Sequence, residues 1–153
     1  MLRVTPVLRD EYDPLFRMVQ DYWAEHHAER GFVREPGAGP RRFHDEFWRE
    51  ADSRYLWWAR LDGPPIGFAK TELIEDPVWE TQGDIGDFYI APPFRLHGHG
   101  AGFARWLRDW FTGRGVKSVR LFVRLDNPGA LAFWKREGFE TVQVWHQMRK
   151  AVR

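Results

Sequence analysis

Residues 87–111 read DFYIAPPFRLHGHGAGFARWLRDWF. The first four, Asp87 to Ile90, read as extended chain, 91–94 as a proline-bearing loop, and 95–102 as a glycine-rich turn that opens a helix. Phe103, Trp106, Leu107, Trp110 and Phe111 recur at i, i+3, i+4, i+7 and i+8 and form one apolar face of that helix. Gly113 and Gly115 end it. Gly98, Gly100 and Gly102 let the backbone approach a ligand closely, and the first N–H groups of the helix have no intrahelical acceptor. Such a turn suits a phosphate or pyrophosphate. It is not a P-loop, which ends in Gly-Lys-Ser/Thr, nor the dinucleotide fingerprint, which needs a glycine where Phe103 stands.

Downstream, Val116–Arg124 reads as a strand with Val119, Leu121 and Val123 on one face, and a strand, helix and strand joined this way pair in parallel through a right-handed crossover. Asn127 and Pro128 restart a helix as N-cap and first-turn residue, and Gly138 closes it. Phe139–Lys150 alternates, with Val142, Val144, His146 and Met148 on one side, and reads as one or two terminal strands. Upstream, Arg54–Leu61 and Pro65–Leu73 flank Asp62-Gly63-Pro64 as a hairpin. A first strand is expected at Arg3–Val7. Asp13 and Pro14 are expected to cap and start a helix through Leu15, Val19, Tyr22 and Trp23. Gly31–Pro40 reads as a loop leading to a second helix with Phe43, Phe47 and Ala51 on one face. The order β, α, α, β, β, β, α, β, α, β predicts an α/β fold with a mixed sheet flanked by helices.

With 153 residues and 43% hydrophobic content, the chain suffices for one well-buried domain, expected to span 1–153. A formal net charge of +1 gives no reason to expect a nucleic acid or an anionic membrane as partner. The absence of cysteine excludes disulfides, thiolate metal sites and a cysteine nucleophile, and suits a reducing cytosol. MLRVTPVLRDEYD holds no apolar stretch fit for a signal peptide, and no segment approaches the roughly 18 apolar residues of a membrane span. The expectation is a soluble, cytoplasmic protein.

Arg95-Leu96-His97-Gly98-His99-Gly100 resembles the Arg/Gln-x-x-Gly-x-Gly/Ala signature of the GNAT (GCN5-related N-acetyltransferase) family. About thirty residues further on, Asn127, Ala130, Phe133, Gly138 and Phe139 fall on its second signature, the spacing that its strand and helix require. The resemblance implies a GNAT-like sheet of about six to seven strands with a splayed central parallel pair and about four helices. It implies an acetyl-CoA-dependent N-acetyltransferase that moves the acetyl group directly to a primary amine of a small molecule or peptide. Phe88, Tyr89 and Ile90 would offer backbone groups to the pantetheine arm, and Asn127 would contact it. Arg95, Leu96, His97, Gly98, His99, Gly100 and Ala101 would bind the cofactor, the last six holding its pyrophosphate. A homodimer is also compatible with the family.

An attacking amine must lose a proton, so a carboxylate near the central strand is the expected base, and Asp84 and Asp87 are the catalytic candidates. Asp87 shares a strand face with Tyr89 by period two, a parity that a bulge can change. Where the family carries a general-acid tyrosine this chain has Trp134, whose indole does not titrate. Thiolate departure needs less help than alkoxide departure, so slower catalysis is expected. The same replacement leaves a second expectation, a non-catalytic acyl-CoA-binding or interaction module. The side chains of His97 and His99 are expected to face solvent or to add charge near the ligand, with no metal site. Between Lys70 and Arg95 lie Glu72, Glu75, Asp76, Glu80, Asp84 and Asp87 and no base, a run that would favour a cationic acceptor.

Overall fold

The computed structural model describes residues 1–28, 38–75, 78, 80–144, 146, 148 and 150–152. They form two compact units, Met1–Phe122 and Val123–Arg153. In the first, β1 (Leu2–Pro6) is followed by α1 (Tyr12–Ala28), α2 (Ala38–Phe43) with a π-helical turn at His44–Trp48, and the hairpin β2 (Arg54–Leu61) and β3 (Pro65–Ile74). Then come β4 (Gln82–Ile90), a 3₁₀ turn at Pro92–Phe94, α3 (His99–Gly113) and β5 (Val119–Arg120). The second unit holds α4 (Pro128–Arg136).

The sheet has five strands in the order β1-β2-β3-β4-β5. Neighbours are antiparallel except β4 and β5, which run parallel. Trp58, Phe68 and Tyr89 lie in register across β2, β3 and β4. They pack with Leu15, Val19 and Trp23 of α1 and with Phe43 and Phe47 into one core. The neighbouring register row, Trp57, Ala69 and Phe88, faces the other way. There Trp57 meets Trp106 and Phe88 meets Phe103 of α3. Each fully buried side chain of this size contributes about 1.5–3 kcal/mol, so the alternation of β2 and β3 decides which helix each face receives. A Cβ on Gly83 would stand 2.6 Å from the Phe111 ring, so the missing side chain lets α3 lie directly on β4.

Two irregularities shape β4. Lys70 pairs with Asp87 and Thr71 with Ile85, so Gly86 is an extra residue, a bulge. Cross-strand partners share a face, so Asp84 opposite Glu72 and Asp87 opposite Lys70 project to the same side although three residues apart. On its other edge β4 pairs with β5 only at Gly83–Val119 and Asp84–Arg120. From Ile85 to Ile90 that edge has no strand partner among the described residues, which is the splay of the parallel pair.

Several elements differ from their expected extents. Helix α1 starts at Tyr12, placing Asp13 and Pro14 inside its first turn. The second helix widens into the π-helical turn, with Arg49 N–H bonded to His44 O, and stops before Ala51. Strand pairing covers only Val119–Arg120 of 116–124. The described residues of 139–150 form no strand, and Val142 and Met148 are more than nine-tenths exposed. An alternating segment becomes a strand only where another edge accepts its hydrogen bonds, which accounts for five strands among the described residues in place of six or seven. Residues 31–37 of the expected Gly31–Pro40 loop, and 145, 147 and 149 of the terminal stretch, lie outside the described residues, and the last three residues of that loop already belong to α2.

Candidate functional site

The turn between β4 and α3 presents backbone donors rather than side-chain caps at the helix start. Leu96 has φ 66° and Gly98 φ 82°, and this left-handed geometry turns successive N–H groups toward one side. Gly98 is the N-cap of α3 and supplies no side-chain cap. The first helical bond runs from Gly102 N–H to Gly98 O at 3.0 Å. The N–H groups from Leu96 to Ala101 bond to none of the described residues, and they stand at the positive end of a fifteen-residue helix. A Cβ on Gly98 would meet no atom within 4 Å, whereas one on Gly102 would stand 3.2 Å from Leu2 Cδ2. Gly98 therefore serves the open turn. Gly102, expected to admit a ligand, instead admits β1.

The unpaired edge of β4 adjoins the beginning of this turn. Phe88 and Tyr89 lie along it, with their side chains on opposite faces of the sheet, against α3 and α1 respectively. Ile90 O is engaged, because Arg95 Nε donates to it at 2.7 Å. The rest of the Arg95 guanidinium faces Glu25 of α1, with Nη1–Oε1 2.6 Å and Nη2–Oε2 2.8 Å. Tyr89 lies under the guanidinium, 5.4 Å from the ring centroid, and also hydrogen-bonds Glu25. The bonds from Arg95 hold Glu25 below the usual carboxylate range, while burial and the Glu25 charge push the Tyr89 hydroxyl up. Arg95, expected with the cofactor, thus spends its side chain on α1 and the end of β4. His97 is exposed and His99 half-buried, with ring centroids 6.1 Å apart.

Around the bulge the site is acidic and internal. Asp87 Oδ2 lies 3.1 Å from Lys70 Nζ, and Asp87 Oδ1 accepts from Tyr22 Oη at 3.1 Å. Lys70 also donates to Glu46 O at 3.0 Å and lies 4.8 Å from the Phe47 ring centroid. Burial raises Asp87 above the usual carboxylate range, with Lys70 and then Tyr22 opposing the rise. Asp84 Oδ1 accepts from Arg120 Nε at 3.1 Å. A Cβ on Gly86 would stand 3.2 Å from Lys70 Cε and 3.4 Å from Asp84 Oδ2. The bulge thus brings both candidate carboxylates to one side of the sheet, with Asp87 still sharing the Tyr89 face.

The acidic run from Glu72 to Asp87 is not a field of one sign. Arg54 pairs with Glu72, Lys117 with Glu80, Arg120 with Asp84 and Lys70 with Asp87. Asp76 lies outside the described residues. Residues distant in sequence supply the compensating charge, so the local run no longer argues for a cationic acceptor. Tyr22, Lys70 and Glu25 were not among the expected site residues. Lys70, a lone cation among apolar residues in PIGFAKTELI, signalled a buried partner, whereas Tyr22 fitted the apolar face of α1 and Glu25 carried no signal.

Among the described residues no group of three or more His, Asp or Glu could hold a metal ion, and no helix is long and apolar enough to cross a membrane. In the second unit, Asn127 Oδ1 caps α4 by accepting from Ala130 N–H at 3.1 Å. Trp134 is buried and packs edge-on to Phe133 and Phe139.

Residues 13–139 match the Acetyltransferase (GNAT) family. An uncharacterized N-acetyltransferase, MJ1207, of Methanocaldococcus jannaschii is 27% identical over 116 residues, covering 72% of this chain and 51% of that protein. The chain thus spans about half the length of that curated relative. Among solved structures, the tetramutant of BH1408 from Bacillus halodurans has a TM-score of 0.79 at 18% identity, covering 98% of this chain and 99% of that one. AAC(6')-Iy, in complex with the bisubstrate analogue CoA-S-monomethyl-acetylneamine, has a TM-score of 0.76 at 17% identity, covering 99% of each chain. An aminoglycoside acetyltransferase from an uncultured soil metagenomic sample, in complex with trehalose, has 0.75 at 14%, covering 99% of this chain and 97% of that one.

Proposed function

The chain belongs to the GNAT acetyltransferase family, and from that premise we propose that it transfers the acetyl group of acetyl-CoA directly to a primary amine. The observation that carries this reading is the uncapped turn: among the described residues nothing bonds the N–H groups of Leu96–Ala101 at the start of α3, and nothing pairs with the adjoining edge of β4. That cradle fits a pyrophosphate in charge and in open space at Gly98. The edge at Phe88 and Tyr89 fits an amide-bearing arm, which would pair with strand groups as another strand does. Acetyl-CoA, when bound, supplies an activated acyl carbon.

The chain's own contribution to the chemistry is a proton acceptor. Asp87 takes the proton that the amine must lose, and Tyr22 and Lys70 hold its two oxygens in place. Asp84, held by Arg120, is the second candidate on the same face. Thiolate departure proceeds without a titrating group at position 134, because a thiol with a pKa near about 8.5 leaves readily at neutral pH. Trp134 also supports a second reading, a module that binds acyl-CoA without transfer.

Isothermal titration with acetyl-CoA tests the binding, and no heat at millimolar ligand overturns the assignment. Thiol release with a panel of primary amines then separates an enzyme from a binding module, which binds acetyl-CoA yet releases CoA no faster with amine than without.

A further inference from the structure

We propose that Glu25 is a positioning residue for the cofactor: by gripping Arg95 from α1 it holds the exit of β4 and the first residue of the anion turn in their binding geometry. The inference rests on the acetyl-CoA reading of that turn. Arg95 Nε reaches Ile90 O, and its two terminal nitrogens reach the two oxygens of Glu25, at 2.6–2.8 Å throughout. A planar guanidinium held at three points cannot swing without breaking a charge-assisted bond. Its positive charge is answered by Glu25, so attraction for an anion falls to the backbone N–H groups of Leu96–Ala101 and to the start of α3.

Those groups need an external constraint. Leu96 follows Arg95 at φ 66°, a left-handed conformation that a branched side chain disfavours, and its side chain is fully exposed, with nothing among the described residues to enforce it. On the C-terminal side Gly98 adopts φ 82° freely and enforces nothing. Arg95 is the fixed point from which the turn departs, and Glu25, seventy residues earlier in the chain, fixes Arg95. Tyr89, with its ring beneath the guanidinium and its hydroxyl on Glu25, braces the same junction.

The probe is CoA itself, titrated calorimetrically into the full chain and into Glu25→Gln and Arg95→Lys, with amide hydrogen exchange of 95–102 measured in the ligand-free proteins. Each variant loses one bidentate pair. The expected result is a CoA Kd raised about 5- to 20-fold in both, faster exchange across the turn, and a raised KM for acetyl-CoA with kcat at saturation within about twofold. An unchanged Kd in Glu25→Gln overturns the inference, as does tighter binding, which would mean that the freed Arg95 meets the phosphates itself. Failure of the unsubstituted chain to bind CoA overturns the functional reading and this inference together. CoA binding that is insensitive to both variants removes the inference alone.

Discussion

Lys70 Nζ and Asp87 Oδ2 lie 3.1 Å apart as cross-strand partners, with side chains only 13% and 17% exposed. The pair exists because Gly86 bulges out of β4, which shifts the register so that Asp87 faces Lys70. A buried ion pair of this kind gains little over an apolar pair, but removing one partner leaves an uncompensated charge and costs about 3–5 kcal/mol. Placing the pair beneath α1 therefore makes sense as site construction, since it keeps a carboxylate available in a partly dry face.

Asp87→Asn should lower kcat by about 10²- to 10⁴-fold with little change in the acetyl-CoA Kd. A kcat within about tenfold of the unsubstituted chain would transfer the role to Asp84.

The pH profile should carry the same signature. Asp87 accepts a proton only when ionised, and burial raises its pKa, so kcat/KM should climb with pH through a value above the usual carboxylate range. Lys70 opposes that rise, so Lys70→Met should move the acid limb to higher pH. Tyr22→Phe should move it the same way by less. A limb that stays in place with the same amine in all three proteins would show that it belongs to another group.

Gly98→Ala and Gly102→Ala should separate the turn from the packing behind it. At Gly98 the added methyl meets no atom, so the cost is the left-handed φ of 82°, about 1–2 kcal/mol. Binding must restore that geometry, and the acetyl-CoA Kd should rise about 5- to 30-fold. At Gly102 the methyl meets Leu2 at 3.2 Å, so thermal stability should change and affinity should not. Equal losses of affinity would put Gly102 back in the cradle.

Because Arg120 answers Asp84, kcat/KM for cationic amines should depend weakly on salt. Arg120→Gln should raise kcat/KM for a polyamine and make it fall with added salt, leaving a neutral amine unaffected. An unsubstituted chain that already shows steep salt dependence with cationic amines alone would mean that the uncompensated carboxylates dominate after all.

Glu11 predicts the acid side of stability. Burial disfavours its charged form, but bonds from Leu8 N–H, Trp58 Nε1 and Arg60 outweigh this and leave its pKa lowered. A folded value below the unfolded one contributes stability that is present above the unfolded pKa and is lost as pH falls through the folded one. Glu11→Gln should therefore cost about 1–3 kcal/mol at pH 7, and denaturant melts of the two proteins should converge in acid. A gap that persists below both values would mean that the loss is one of shape.

The local features were legible in the sequence because each depends on neighbours along the chain. The hairpin around Asp62-Gly63, the apolar face of α3, the glycine turn and the Asn127 cap are set by turn chemistry, helical period and N-cap preference, which act over a few residues. They also carried the two family signatures. Tertiary structure alone decided which face each carboxylate takes and what answers its charge. Period two separates Asp84 from Asp87, and only the pairing of β4 with β3 shows that Gly86 is extra and that they share a side. The sequence likewise shows neither that Glu25 pairs with Arg95 nor that the Tyr22 hydroxyl donates to Asp87. Those contacts join residues 65 and 70 positions apart. No local rule reaches so far, because strand register and helix docking, set by the packing of the whole face, bring those side chains together.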